Sequence, residues 1–149
     1  MAIPVILDIQ CGTNIDDMFS LALALCSPEI ELLGVTTVSD RNGEGTRMAQ
    51  DLVHAYNRTT RVLRGSAKPF RDDPQVELQA VCFLVDTVRK YFGEVTVITN
   101  GPATNVALAM EQWPDFEKGI KRIISMAGWM GQRLPEWNVQ CDPAAMKRL

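Results

Sequence analysis

The sequence predicts an α/β fold: a mostly parallel, Rossmann-like sheet flanked by helices on both faces. Short, β-branched apolar runs alternate with longer amphipathic stretches along all 149 residues. Each run is too short for a helix, and it lacks the polar alternation of a sheet with one wet face. Gly, Asn and Asp gather where runs end, as at Asn42-Gly43 and Asn100-Gly101, which is turn chemistry at strand ends.

Ile3 to Leu7 reads as the first buried strand, and Asp16 to Leu25 as a helix that is apolar nearly all round and so lies on a crowded face. Ser27-Pro28 stops it, and Glu31 to Val38 is the second strand. A turn at Ser39 to Gly43 leads into a helix over Thr46 to Tyr56, with Met48, Leu52, Ala55 and Tyr56 on one face. His54, the single histidine, lies in this helix a turn after Asp51, and the pair reads as a solvated surface contact. Arg61 to Leu63 is a short strand, Gly65 to Pro74 a loop and Val76 to Phe92 the longest helix. Glu94 to Thr99 and Lys121 to Met126 are the remaining strands, with a helix over Val106 to Gln112 between them. Ala127 to Cys141 reads as a polar-aromatic loop, and Asp142-Pro143 opens a last helix with an acid cap and a first-turn proline. No internal repeat or linker divides the chain, so residues 1–149 are expected to form one domain.

A net charge of −3, with cations scattered rather than blocked, gives no electrostatic reason to expect nucleic acid or an anionic membrane as partner. Cys11, Cys26, Cys82 and Cys141 form no CxxC pair, which removes the spacing argument for zinc, and they read as buried free thiols. Met1-Ala-Ile-Pro-Val enters a strand directly, and no apolar run is long enough to span a bilayer, so a cytoplasmic protein is expected.

In such a sheet, ligands sit beyond the carboxyl ends of the strands. Asp8, Arg41, Asn100 and the loop after Met126 share that rim. Asp16 and Asp17, just past the first strand, would repel each other and Asp8 unless a cation or polar ligand lay among them. The alternative is that Asp16 or Asp17 merely caps its helix.

Four segments, in order, resemble the inosine-uridine preferring nucleoside hydrolases. Leu7-Asp-Ile-Gln-Cys-Gly-Thr-Asn-Ile-Asp-Asp17 is similar to the longer form of the family's Asp-Thr-Asp-x-Gly-x-x-x-Asp-Asp motif. Pro28 to Val38 and Gly101-Pro-Ala-Thr-Asn-Val-Ala-Leu-Ala109 match further family runs. Ile120 to Gly128, with Pro135-Glu-Trp-Asn-Val-Gln-Cys-Asp-Pro143, resembles its Met-Gly-Gly strand end and its Glu-Phe/Trp-Asn loop.

The resemblance implies hydrolysis of the N-glycosidic bond of ribonucleosides by a calcium-bound water. By position, Asp17, Gln10 and Asn100 (through its main-chain carbonyl) would be metal ligands. Asp16, Glu136 and Asn138 would bind ribose hydroxyls, and Asp8 would support the loop from behind. Gln10 stands where the family has a second acid, ligand and general base, so Ca²⁺ binding and turnover are expected to be impaired. Ala127 replaces a glycine, and Gln132 is the one candidate for a further sugar-binding asparagine. Relatives continue well past Leu149 and supply there another metal-binding aspartate and a histidine assigned to leaving-group protonation. The chain therefore reads as the amino-terminal part of the fold, apparently truncated. A homo-oligomer, or pairing with a carboxy-terminal half, is expected with it. The alternative function is a catalytically inactive ribose- or nucleoside-binding or interaction protein, a pseudoenzyme of the family.

Overall fold

The computed structural model describes residues 2–72, 78–131 and 133–149. Five strands form one wholly parallel sheet: β1 (Ile3–Ile9), β2 (Ile30–Thr37), β3 (Val62–Arg64), β4 (Thr96–Thr99) and β5 (Arg122–Ser125), in the order β3-β2-β1-β4-β5. The helices are α1 (Asp16–Cys26), α2 (Glu44–Ala55), α3 (Gln79–Lys90), α4 (Thr104–Gln112), α5 (Phe116–Gly119), α6 (Trp137–Cys141) and α7 (Pro143–Arg148). This is the expected α/β architecture, with β1 central and the sheet order reversing between β1 and β4.

Consecutive side chains of a strand point to opposite faces, and the two cores divide accordingly. On the front, Leu7 and Ile9 of β1 pack with Leu21 and Leu25 of α1 and with Ala49 and Val53 of α2. On the back, Ile6 and Val97 pack with Leu84 and Val88 of α3, Val106 and Met110 of α4 and Phe116 of α5. A third, smaller cluster joins Phe70, Ala103 and Ala107 to Ala145 of α7.

Several expectations need correction. α1 is not crowded on all sides: Ile15, Phe19 and Leu23 are 71%, 66% and 67% exposed. The buried face of α2 is Gly45, Thr46, Ala49 and Val53, while Met48 and Tyr56 stand at the surface, because the helix lies on the sheet through its small residues. Of the thiols only Cys11 is buried, and Cys26 is exposed. The segment over Ala127 to Cys141 is not all loop, since α6 occupies its end, and α5 has no counterpart among the expected elements. α3 begins at Gln79; the expected start at Val76 and the candidate Gln132 lie outside the described residues. His54 and Asp51 are both exposed, as expected of a surface pair.

Candidate functional site

The carboxyl ends of β1 and β4 lie side by side, the Asn100 N–H donating to the Asp8 carbonyl at 2.9 Å. From β1 the chain turns through Gln10 to Asn14 into α1, whose N-cap is Ile15 with no side-chain capping bond. Neither acid serves as that cap. Asp17 instead turns back toward the strand end, and its Oδ1 accepts the Gln10 N–H at 3.0 Å. Asp17 is 2% exposed, and Asp16 beside it is half-buried. Burial raises the Asp17 carboxyl to about 6; the Gln10 N–H works against that shift and the Asp16 charge adds to it.

Gln10 lies against the β4 turn. A Cβ on Gly101 would come within 3.0 Å of the Gln10 Cβ and 3.1 Å of its nitrogen, so only glycine lets the two loops close. Next to it, Asn100 reaches α1 through a short hydrogen bond from its Nδ2 to the Ser20 hydroxyl. Its main-chain carbonyl accepts from Asn138 Nδ2 at 2.7 Å, and the same amide donates to the Met126 carbonyl at 3.0 Å. Asn138 thus ties the ends of β4 and β5 together. Glu136 caps α6, its Oε2 accepting from the Asn138 N–H at 2.8 Å and the Val139 N–H at 3.3 Å.

Asp17, Gln10, Gly101, Asn100, Asn138 and Glu136 therefore form one unbroken run of contacts along the sheet edge, with Asp16 at its start. Asp8 sits behind it, fully buried, accepting from Thr36 Oγ1 at 2.6 Å and Asn105 Nδ2 at 2.7 Å. Its Oδ2 is the one buried side-chain oxygen without a partner among the described residues. Burial lifts its carboxyl to about 7, against the pull of Thr36 and Asn105 and with a small push from Asp17. Arg41, exposed on the rim, contributes its backbone: its carbonyl accepts from Arg64 Nη2 at 2.7 Å. The adjoining turn is fixed by Asp40, whose carboxylate takes the Gly45 N–H at 3.2 Å and the Thr46 N–H at 2.9 Å.

Two residues hold the site's supports together in ways the sequence reading did not assign to them. Asn105 bridges three elements: beyond Asp8, its Nδ2 reaches the Thr37 carbonyl at 3.0 Å, and its Oδ1 accepts the Ser66 N–H at 2.9 Å. It stood in view inside Gly-Pro-Ala-Thr-Asn105. Asp142 reads from sequence as a cap and does hold the Ala145 N–H at 3.0 Å. It also accepts from the Phe70 N–H at 2.7 Å and from Thr104 Oγ1 at 2.6 Å, contacts no sequence spacing announces.

The donor set does not complete a calcium shell. Ca²⁺ takes six to eight oxygens, and ligand charge sets its affinity. Here Asp17 is the single carboxylate of the Asp17, Gln10 and Asn100 set, with one oxygen engaged by Gln10, while the Asn100 carbonyl is engaged by Asn138. Among the described residues, no three His, Cys, Asp or Glu side chains are grouped to hold a metal.

The model of the inosine-uridine preferring nucleoside hydrolase family matches residues 5–149. An uncharacterised protein of Schizosaccharomyces pombe is 34% identical over 173 residues, covering 95% of this chain and 55% of its own length. The pyrimidine-specific ribonucleoside hydrolase RihA of Escherichia coli is 31% identical, with 97% of this chain and 56% of the relative covered. Among solved structures, a plant nucleoside hydrolase superposes with a TM-score of 0.86 at 24% identity, over 99% of this chain and 56% of that one. A purine-preferring ribonucleoside hydrolase from Gardnerella vaginalis gives 0.83 at 25% identity, over 97% and 56%. The chain thus spans little more than half the length of these relatives, and over that span it belongs to the inosine-uridine preferring nucleoside hydrolase family.

Proposed function

We propose that this chain forms the ribose-facing part of a nucleoside hydrolase site, and that its hydrolysis of the N-glycosidic bond of ribonucleosides is impaired. The observation that carries this reading is the unbroken run from Asp17 through Gln10, Asn100 and Asn138 to Glu136 across the β1 and β4 ends. In it Asp16, Glu136 and Asn138 meet the sugar hydroxyls. Cleaving an N-ribosidic bond develops positive charge on the sugar, which the Asp16 and Asp17 carboxylates stabilise. Gln10 brings an amide where a base is needed, and an amide takes no proton from water near neutral pH. Calcium affinity is weak, because Asp17 is the single carboxylate of the Asp17, Gln10 and Asn100 set. The four unpaired cysteines suit a cytoplasmic protein, and no described helix is long and apolar enough to cross a membrane.

A second reading, a binder of ribose or nucleosides without turnover, is favoured by the same Gln10 and by the Asn138 amide being spent on two main-chain carbonyls. Reducing-sugar release from inosine and uridine separates the two. Slow release that Asp16→Ala abolishes supports impaired hydrolysis. Nucleoside binding with no release supports the binder, and neither binding nor release rejects both.

A further inference from the structure

A cavity of about 600 Å³ lies on the back of the sheet, between α3 and the strands β2 and β3. None of Gln10, Asp16, Asp17, Asn100, Glu136 and Asn138 lines it, so it is distinct from the strand-end site. Its size is that of a small-molecule pocket, roughly 300 to 1,000 Å³. An irregularity in β2 shapes its floor. Val5 pairs with Leu32 and Ile6 with Gly34, which leaves Leu33 as an extra residue without a partner on β1. A bulge of this kind re-aims side chains. Leu32 accordingly packs in the front core and Leu33 at the edge of the back one, where it lines the cavity with the buried Leu63. A Cβ on Gly34 would lie 2.3 Å from Phe83 Cζ, so glycine at this point lets the Phe83 ring of α3 rest on β2.

Two cations and one acid stand around this apolar floor. The Arg61 guanidinium carbon is 5.5 Å from the centre of the Phe83 ring, and Lys90 Nζ is 5.1 Å from that of Tyr91. Asp86 lies one helical turn before Lys90, a spacing that puts Cβ atoms about 5–6 Å apart. Among the described residues, none of Arg61, Asp86 and Lys90 makes an ion pair. Both signs of charge therefore line one cavity, beside aromatic and aliphatic carbon, without neutralising each other.

We propose that this cavity is a second binding site, for a small aromatic zwitterion of the α-amino-acid type. The ring lies on the floor of Leu33, Leu63 and Phe83, the carboxylate turns toward Arg61 and Lys90, and the ammonium turns toward Asp86. A neutral aromatic molecule would leave all three charged groups to water. An aromatic carboxylate would meet both cations but would be repelled by Asp86. A molecule that carries both charges next to a ring answers all three groups and the floor together, with charge-assisted hydrogen bonds at each end.

Amide resonances of the isotope-labelled chain, followed during titration with L-tryptophan, test this. The expected result is saturable shifts at millimolar ligand, confined to Leu33, Arg61 to Leu63 and Gln79 to Tyr91. N-acetyl-L-tryptophan, which lacks the ammonium, and tryptamine, which lacks the carboxylate, should each bind about tenfold more weakly. Asp86→Asn should weaken L-tryptophan and leave N-acetyl-L-tryptophan unchanged, while Arg61→Gln should weaken L-tryptophan and leave tryptamine unchanged. All three charged residues are exposed, so these variants keep the fold. An absence of saturable shifts, or shifts centred on other elements, would overturn the proposal. So would equal binding of the three compounds, which would mark contact with the ring alone. The substitutions lie outside the ribose-facing residues, so this outcome is independent of nucleoside binding or release.

Discussion

Asn105 Nδ2 donates to Asp8 Oδ1 at 2.7 Å, joining residues 97 apart in sequence and locking the end of β1 to the start of α4. The same side chain holds Ser66 and Thr37, so one amide fixes three strand ends. Replacing Asn105 with Ala removes three buried hydrogen bonds at once, those to Asp8, to the Thr37 carbonyl and from the Ser66 N–H, and leaves Thr36 alone to hold Asp8 Oδ1. We expect a loss of about 3 kcal/mol from this, read as a fall in the denaturant midpoint at unchanged slope. Gly65→Ala should do comparable harm, because its Cβ would lie 2.3 Å from Asn105 Oδ1 and 2.5 Å from the Thr37 carbonyl.

The raised carboxyl of Asp8 makes stability depend on pH. In the fold it titrates near 7, against 3.8 unfolded. Between those values the folded chain keeps a proton that the unfolded chain has lost. Its contribution is therefore fully present below about pH 4 and is lost as pH rises through 7. Asp17, raised to about 6, acts in the same direction over a narrower window. Asp8→Asn should flatten this slope and be more stable than wild type at pH 8, by on the order of 3 kcal/mol. Melting temperatures from pH 4 to 8 check it; an unchanged slope in the variant would count against Asp8 as its source.

Asp142 fastens the segment after β3 to α4 and α7 through Phe70, Thr104 and Ala145. Asp142→Ala removes a cap and two buried bonds, with an expected cost of about 3 kcal/mol. Amide hydrogen exchange at Phe70 should rise by more than the global loss of stability accounts for, while exchange in β1 should follow the global change alone.

Gln10→Asp adds the acid that the calcium set lacks, next to Asp17. We expect it to create measurable Ca²⁺ binding by calorimetry where the wild type has little, and to raise the melting temperature in calcium. A chelator should reverse both. If Gln10→Asp gains no calcium affinity, the assignment of Gln10 and Asp17 to one cation site is wrong.

The five strands were legible because their β-branched runs are bounded by turn residues, and the rim residues were legible because they follow directly from strand ends. What escaped depends on tertiary contact. α5 is four residues long, too short for periodicity to register. α6 starts in a segment that reads as loop because its cap comes from Glu136, an unusual capping residue. The apolar character nearly all round α1 placed it against the sheet on a crowded face, and Leu21 and Leu25 do pack there, yet Phe19 and Leu23 face outward, since sequence counts apolar residues without saying whether anything packs on them. The reach of Asp142 to Phe70, 72 residues away, has no local signature.

The proposed function places a ribose along the edge from Asp16 to Glu136. Titrating the isotope-labelled chain with D-ribose and with inosine, and following its amide resonances, tests this most directly. A ribose on that edge gives saturable shifts confined to Gln10 through Asp17, Asn100 and Glu136 through Asn138, diminished in Asp16→Ala. Shifts absent at millimolar ligand, or centred on other elements, would contradict it.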